Sequence, residues 1–237
     1  MFLIPMMGKS SRFISAGYAI PKFMLPIGNS NLFSKAVASF KEYFADELFV
    51  FTIPNDDSLS AWIINQVNTL GVANHHIIKL NNSTNGQADT IAQSINKISS
   101  SNLSDINIFN IDTILHSFNK LRHDSYDGYL EVFNGEGEHW SFAKINHVDE
   151  VISTAEKERI SSHCSNGFYN FKNSEIFMEG FNKQLEHNKL TNAGELYIAP
   201  IYNFLISLGY KFIVKHIEKE DISFSGTPTE YEELIKK

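Results

Sequence analysis

The first half of the chain alternates short apolar runs with longer amphipathic segments. Four mainly apolar runs have the length of buried strands, and they lie at 2–7, 48–53, 75–80 and 106–112. Three further segments carry apolar residues at helical spacing, and they lie at 31–43, 57–71 and 88–98. Strands that alternate with helices in this way predict a parallel sheet that helices cover on both faces.

The pattern changes after residue 112. Short alternating runs predict an antiparallel or mixed group of strands packed beside the first sheet, at 128–134, 140–146, 151–157 and 167–171. A helix at 174–187, an apolar segment at 195–209 and a strand at 211–217 follow. Thr227, Pro228 and Glu230 then stand in the order of a capping box that opens a last helix. No repeat or linker interrupts the pattern, which predicts one domain in two lobes.

The composition narrows the class of protein. The 237 residues are 43% hydrophobic, enough for a buried core, and the formal net charge of −7 disfavours nucleic acid as a partner. A single cysteine excludes a disulfide framework and fits a reducing cytoplasm. No apolar run reaches the roughly eighteen residues of a membrane span, and the N-terminus lacks the basic start of a signal peptide. We therefore expect a soluble cytoplasmic protein that does not bind membranes.

A loop rich in glycine and serine follows the first predicted strand. Residues 8–13 read GKSSRF, and ligands of α/β proteins lie where such loops leave the carboxyl ends of strands. The backbone N–H groups of Gly8 and Ser10 can face a phosphate. Arg12 and Lys22 add two cations that suit phosphate oxygens. The loop is compatible with an anion site, but by itself it fits a solvated turn better.

The longer segment 4–37 resembles the signature of the sugar-phosphate nucleotidyltransferases, enzymes of the type found in capsule and lipopolysaccharide sugar-nucleotide synthesis. Their signature runs from a strand through Gly-x-Gly-Ser/Thr-Arg and Pro-Lys-x-Leu to a small-residue turn before a helix. Here it stands as GKSSR at 8–12 and PKFML at 21–25. Ser10 occupies the place of the second glycine, so a left-handed backbone there would be strained, or the loop would follow another path.

The resemblance implies an α/β fold of Rossmann-like type, with a mainly parallel mixed sheet flanked by helices and a smaller β-rich acceptor lobe. It makes 1–237 a single domain, with a nucleotide-binding half at 1–116 and an acceptor-binding half with the C-terminal helices at 117–237. The implied enzyme moves NMP from an NTP to a sugar phosphate or similar phosphorylated small molecule, and it releases pyrophosphate. Its cofactor is Mg²⁺, and the protein is a monomer or homo-oligomer.

The resemblance also assigns the nucleotide site, residue by residue. Arg12 would hold the leaving β- and γ-phosphates, and Lys22 would neutralise charge that develops on the α-phosphate. The nucleotide-binding residues would be Met7, Gly8, Lys9, Ser10, Ser11, Gly86, Gln87 and Ala88. In the family the glycine-alanine loop lies against the nucleobase, and the amide of Gln87 can both donate to and accept from a base edge. By itself this loop also fits an ordinary turn and N-cap.

The metal site implied by the resemblance centres on Asp112, which matches the family's metal-binding aspartate at a strand end. Carboxylate oxygens suit Mg²⁺. The family's second acid lies two residues before a late Gly-Thr pair, and that position is Phe224 here. Asp221, three residues away, is the expected substitute. Asp112 also fits a simple N-cap for the turn that follows it.

The acceptor site implied by the resemblance lies in the later strands. Glu156 and Lys157 match the family's Glu-Lys pair, in which the lysine reaches the acceptor phosphate and the glutamate a sugar hydroxyl. Gly167 opens the Gly-x-Tyr strand that would offer backbone groups to the sugar. The Glu-Lys pair also fits a solvated strand end. The acceptor is left open among a hexose phosphate, a polyol phosphate and a phosphorylated amino compound.

Two other classes of protein share parts of this pattern. A glycosyltransferase of related fold has Asp-x-Asp at the metal strand, whereas this chain has Asp112, Thr113 and Ile114. A non-catalytic relative that binds a nucleotide or sugar phosphate would explain why Ser10 and Phe224 depart from the signature. Pyrophosphate release distinguishes the enzyme from the binding protein.

Overall fold

The architecture comes from a computed structural model that describes residues 1–98, 103–122, 124–191 and 194–236. Its strands are β1 (Phe2–Pro5), β2 (Pro26–Ile27), β3 (Ser30–Asn31), β4 (Leu48–Pro54), β5 (Asn74–Leu80), β6 (Ser104–Phe109), β7 (Thr113–Leu115), β8 (Gly128–Asn134), β9 (Ser141–Ile145), β10 (Val151–Glu156), β11 (His163–Asn173), β12 (Phe212–His216) and β13 (Ile222–Phe224). Its helices are α1 (Ser11–Ser15), α2 (Leu32–Ala38), α3 (Asp57–Leu70), α4 (Gln87–Lys97), α5 (Ser174–Thr191), α6 (Ala199–Ser207) and α7 (Pro228–Leu234).

The main sheet is mixed and has nine strands. Its central path is β10-β9-β11-β6-β1-β4-β5, and β8 and β12 continue it from β11. β6, β1, β4 and β5 are mutually parallel, as the alternation of strands and helices predicts. The expected fold class, a mainly parallel mixed sheet flanked by helices, is confirmed.

The pattern predicted that the strands of the second half pack beside the first sheet. This prediction was wrong, because β8 to β12 belong to that sheet. β11 is eleven residues long, and its second half pairs antiparallel with β6 while it also pairs with β8 and β9. The predicted strand at 167–171 is therefore part of a longer strand that joins the two halves. A register shift between Ser165 and Tyr169 bends β11 at this junction.

Alternate side chains of the central strands reach two hydrophobic clusters, one on each face of the sheet. Phe2 and Ile4 enter one cluster, whereas Leu3 enters the other. The ring centroid of Phe40, a fully buried residue, lies 4.6 Å from that of Phe2 and 4.7 Å from that of Phe109. Each such side chain contributes about 1.5–3 kcal/mol by its burial.

Several element ends follow local signals in the sequence. α3 ends at Gly71, which has a left-handed backbone with φ 80°. α7 opens with the expected capping box, in which Thr227 and Glu230 each accept a hydrogen bond from the other's backbone N–H. The strand predicted at 106–112 ends earlier, at Phe109, so Asp112 lies in the turn beyond it. Among the described helices, none has the length and apolar character needed to cross a membrane.

Lys120 holds together the segment before β4 and the start of β6. Its Nζ donates to the carboxylate of Glu47 and, at 2.5 Å, to that of Asp105. Burial acts to raise the pKa of each carboxyl, but it is outweighed by the hydrogen bond and charge of Lys120, with help from the N-terminal ammonium at Glu47 and the Asn170 amide at Asp105, so both pKa values are lowered. The Lys120 side chain is only 17% exposed, so this cluster is screened less than a surface pair.

Lys120→Met is expected to lower the free energy of unfolding by about 2 kcal/mol, because hydrogen bonds to charged groups contribute about 1.5–3 kcal/mol. Urea unfolding at pH 7 measures the change. The matched control is Lys79→Met, whose partner Asp57 is 92% exposed. Its effect should stay below about 1 kcal/mol. Equal effects of the two variants would contradict the assignment of a structural role to the Lys120 cluster.

The same comparison has a defined pH dependence. Because the pKa values of Glu47 and Asp105 are lowered from 4.5 and 3.8, their contribution is present above those values and is lost as the pH falls through the folded pKa values. The pKa of Lys120 is raised from 10.5, so its contribution is present below that value and is lost only at higher pH. The difference between wild type and Lys120→Met should therefore shrink below about pH 4.

Candidate functional site

A cavity of about 410 Å³ opens where β1 and β6 end and α4 begins. The loop after β1 contributes Met7, Gly8, Lys9 and Ser10 to its lining, and the start of α4 contributes Gly86 and Gln87. Six of the eight residues expected to bind the nucleotide thus line one cavity. The other two do not line this cavity: Ser11 is the first residue of α1, and Ala88 is fully buried.

Ser10, which stands where the signature has a glycine, adopts a left-handed backbone conformation. Its φ is 51° and its ψ is 32°, so the loop follows the path of a glycine-containing turn although a serine stands there. The Oγ of Ser10 accepts a hydrogen bond of 3.2 Å from the backbone N–H of Lys22. Serine therefore supplies a contact that glycine lacks, and this contact ties the first loop to the segment that carries Lys22.

The loop that opens α4 is held by backbone hydrogen bonds to a later segment. The N–H of Ala88 donates to the carbonyl oxygen of Leu196 at 3.0 Å, and the N–H of Leu196 donates to that of Asn85 at 2.7 Å. Gly86 has φ 118°, and a Cβ there would lie 2.6 Å from the Leu196 carbonyl oxygen. This glycine is required both by its backbone conformation and by the close approach.

A second cavity, of about 250 Å³, adjoins the first. Both cavities are lined by Lys22, Asn110 and Asp112, so these three side chains lie at the junction between them. The second cavity is also lined by Arg12, His139, Trp140, Ser141, Glu156, Phe224 and Glu230. It therefore combines a cation near the junction with aromatic, hydroxyl and carboxylate groups farther along its wall.

Lys22 and Asp112 form an ion pair across ninety residues of sequence, with the Nζ of Lys22 donating to the Oδ2 of Asp112. Burial acts to raise the pKa of Asp112, but the charge and hydrogen bond of Lys22 outweigh it and lower that pKa. The backbone of Asp112 is held as well, because its carbonyl oxygen accepts from the N–H of Ser225 at 2.8 Å. The carboxylate is thus charged and positioned at the junction.

Glu156 lies on the wall of the second cavity and is 16% exposed. It accepts a hydrogen bond from the Oγ of Ser141, which in turn accepts one of 3.0 Å from the hydroxyl of Tyr169. Burial raises the pKa of Glu156, and the Ser141 hydrogen bond only partly opposes the shift. A carboxyl that already has an ordered hydroxyl donor on one side can accept a substrate hydroxyl on the other.

Lys157 lies outside the second cavity, although the sequence pairs it with Glu156. Its Nζ donates to the hydroxyl of Tyr197 at 2.7 Å, and that hydroxyl donates to the carboxylate of Glu195 at 2.6 Å. Glu195 lines the first cavity. Burial acts to lower the pKa of Lys157, but Tyr197 and the nearby carboxylates raise it. The lysine therefore remains charged near the rim of the first cavity.

Asp221 is not brought to Asp112. Its backbone carbonyl accepts from the N–H of His116, so the antiparallel pairing of β13 with β7 places Asp221 opposite His116. His116 lies four positions after Asp112, which is roughly 13 Å of extended strand. Phe224 reaches the second cavity instead, with its ring centroid 4.6 Å from that of Trp140. The geometry thus gives no support to Asp221 as a second metal ligand.

The sequence alone did not identify two polar residues that line the second cavity, Asn110 and Glu230. Asn110, the first residue after β6, lines both cavities, and its place two residues before Asp112 was a signal that could have indicated it. Glu230 was interpreted only as part of a helix cap. A Cβ added at Gly226 would lie 3.2 Å from Asp112 Oδ2 and 3.4 Å from Glu230 Oε2, so both carboxylates flank this glycine.

The donor set fits a metal that is shared with substrates and does not fit a cage built by the protein alone. Among the described residues, no three side chains of the histidine, cysteine, aspartate and glutamate types are grouped closely enough to hold an ion. Asp112 supplies one hard carboxylate at the junction. Mg²⁺ is commonly bound by one or two carboxylates together with substrate phosphates and water. The residues present are compatible with that arrangement.

The chain is similar over its whole length to a solved structure of a nucleoside-diphosphate-sugar pyrophosphorylase from Vibrio cholerae, with 37% identity, full coverage of both chains and a TM-score of 0.94. An inositol-1-phosphate CTP transferase from T. maritima has the same fold at 13% identity, with 99% of this chain and 94% of that chain covered and a TM-score of 0.76. A UDP-glucose pyrophosphorylase complexed with UDP-glucose matches at 14% identity, 99% and 96% coverage and a TM-score of 0.75. Comparison with family models and with curated proteins found no match.

Proposed function

The chain belongs to the sugar-phosphate nucleotidyltransferase family, and on that premise we propose how its two cavities divide the reaction. It is a nucleotidyltransferase that moves NMP from an NTP to a sugar phosphate or similar phosphorylated small molecule and releases pyrophosphate. The larger cavity, formed by the loop after β1 and the start of α4, takes the NTP. The smaller takes the acceptor. One observation carries this division: the two cavities meet at Lys22, Asn110 and Asp112.

The chemical step is a displacement at the α-phosphorus. An anionic oxygen of the acceptor phosphate forms a new bond to phosphorus, while the bond to the oxygen that bridges to the β-phosphate breaks. The electron pair of the broken bond leaves with pyrophosphate. No proton has to be removed from the acceptor, so the protein acts by positioning both substrates and neutralising charge.

Lys22 is the proposed transition-state cation, since it lies where the two substrates meet. Asp112 is the residue that would hold Mg²⁺, which when bound supplies charge neutralisation for the phosphates. In the free protein the two residues neutralise each other. Substrate phosphates would give the Lys22 ammonium a new partner and leave the Asp112 carboxylate for the cation.

For Arg12 we propose a role other than the one that the signature implies. It lines the smaller cavity, and within the described part of the chain no hydrogen bond or ion pair engages its guanidinium. This supports a role at the acceptor phosphate, next to the junction, instead of at the leaving phosphates. The other two residues expected at the acceptor are engaged elsewhere. Lys157 donates to Tyr197, and Gly167 lies against Asn110, so we propose that neither binds the acceptor directly.

The setting of the reaction is the supply of nucleotide-linked sugars, with capsule polysaccharide as the proposed destination. A chain with a single cysteine, Cys164, suits a reducing compartment, and we place the reaction in the cytoplasm. Its partners are the NTP and the phosphorylated acceptor.

A panel of four NTPs against phosphorylated hexoses, polyols and amino compounds, with Mg²⁺, tests the proposed function by measuring pyrophosphate release. Release that requires one NTP and one acceptor together is the expected result, and it would also identify the base and the acceptor. NTP binding without release from any pair would favour a non-catalytic binding protein. Transfer from a finished nucleotide sugar would favour a glycosyltransferase.

Two substitutions at Ser10 separate its backbone conformation from its hydrogen bond to Lys22. Ser10→Gly relieves a left-handed conformation that costs a non-glycine residue roughly 1–2 kcal/mol, and it loses one hydrogen bond worth about 1 kcal/mol. We expect its free energy of unfolding to stay within about 1 kcal/mol of wild type. Ser10→Ala keeps the strain and loses the bond, so kcat should fall about 2- to 10-fold, corresponding to 0.5–1.5 kcal/mol.

Urea unfolding and steady-state kinetics of both Ser10 variants measure these effects. A Ser10→Ala variant with wild-type kcat would show that the bond from Lys22 N–H to Ser10 Oγ does not help to position Lys22.

A further inference from the structure

Asn110 stands at the point where the two substrates must meet. It is the first residue after β6, and with Lys22 and Asp112 it lines both cavities. Its backbone is tied on two sides: its N–H donates to the Gly167 carbonyl oxygen at 3.2 Å, and its carbonyl oxygen accepts from the Thr113 N–H at 3.2 Å. The side chain is therefore carried by a backbone that is held in place at the end of the central sheet.

The orientation of the Asn110 amide is determined by its neighbours. The Nε2 of Gln87 donates to its Oδ1, which leaves the amide nitrogen pointing away from α4. Gly167, with φ 91°, provides room for that nitrogen, since a Cβ there would lie only 2.5 Å from Asn110 Nδ2. Gly167 is thus required for the side chain of Asn110 to lie where it does.

The amide nitrogen of Asn110 has two N–H donors, and none of the described residues accepts a hydrogen bond from it. It lies in a partly exposed side chain at the junction, where Lys22 also lines both cavities. A free donor and a cation that line the same cavity favour an anion there. The chemical group that passes from the larger cavity to the smaller one is the transferred phosphoryl group, and its non-bridging oxygens are acceptors.

We propose that Asn110 donates a hydrogen bond from Nδ2 to a non-bridging oxygen of the transferred phosphoryl group, and that Gln87 positions it for this task. The inference rests on the proposed function. A donor that is positioned in advance stabilises the charge that builds up on these oxygens in the transition state, and loss of one such donor lowers kcat about 10²- to 10³-fold in other enzymes. In this proposal the main role of Gln87 is to orient the Asn110 amide, whereas the family resemblance implied that Gln87 contacts the nucleobase.

The experiment measures kcat, both Michaelis constants and NTP dissociation constants for Asn110→Ala and Asn110→Asp. Asn110→Asp keeps the shape of the side chain and an oxygen that can accept from Gln87, but it replaces the free donor with a carboxylate. Both variants should lose about 100-fold in kcat, and Asn110→Ala should bind NTP within about 3-fold of wild type. Asn55→Ala is the matched control, because Asn55 is also the first residue after a central strand, β4, and lies outside both cavities.

Gln87→Ala tests the positioning role. We expect a kcat about 2- to 10-fold below wild type, from one lost neutral hydrogen bond, with the preference among the four NTPs unchanged. A changed preference would show that Gln87 reads the base, and would overturn its positioning role.

The possible outcomes separate this inference from the proposed function. An active wild type together with an Asn110→Asp variant within 3-fold of its kcat would overturn the inference and leave the function intact. Reduced thermal stability with unchanged kcat in Asn110→Ala would also overturn it, since a purely structural role predicts that result. A wild type that releases no pyrophosphate from any substrate pair would overturn the proposed function and the inference together.

Discussion

Asp112→Asn is expected to lower kcat about 1000-fold, a loss of roughly 4 kcal/mol of transition-state stabilisation. The carboxylate lines both cavities and is the negative charge that balances Lys22 at their junction. Asparagine has the same size but no charge, so it cannot hold a divalent cation as a carboxylate does. The fold should survive, because the backbone of Asp112 is held by Ser225 irrespective of the side chain.

Kinetics of purified Asp112→Asn with Mg²⁺, together with a circular dichroism spectrum, measure both parts of this expectation. Asp221→Asn is the matched control, since its carboxylate lies outside both cavities, and it should keep wild-type kinetics. Wild-type turnover in Asp112→Asn, or full activity of the wild type in excess chelator, would contradict the metal assignment. A large loss in Asp221→Asn would reinstate it as a ligand.

Lys22→Ala is expected to lower kcat by a similar factor, about 1000-fold, with a much smaller effect on the NTP dissociation constant. Negative charge on the α-phosphate oxygens increases as the α-phosphorus is attacked. A cation beside these oxygens therefore stabilises the transition state more than the bound substrate.

Varying each substrate in turn separates kcat from binding in Lys22→Ala. Lys35→Ala, at an exposed position of α2, is the control and should stay within about a factor of two of wild type. Lys157→Ala tests the second lysine of the signature. If Lys157 binds the acceptor, this substitution should raise the acceptor Michaelis constant and leave NTP binding unchanged. Unchanged kinetics in Lys22→Ala would remove the main support for catalysis by this junction.

Local signals in the sequence predicted most elements because the interactions that form them are short in sequence. Gly71 ends α3 and Thr227 caps α7 through hydrogen bonds to residues three or four positions away. The alternation of apolar runs with amphipathic segments predicted the parallel order of the first strands. The glycine- and serine-rich loop after β1, recognised by its residue types, does line the larger cavity.

Tertiary structure decided everything that depends on contacts between distant residues. The ion pair of Lys22 and Asp112 spans ninety residues, and the hydrogen bond of Gln87 and Asn110 joins two different elements. No periodicity or cap encodes such pairs, since they exist only after β1, β6 and α4 are aligned at one sheet edge. The sequence by itself therefore determined the chemistry of the loop and the family, whereas the sheet register decided which side chains lie together at the junction of the two cavities.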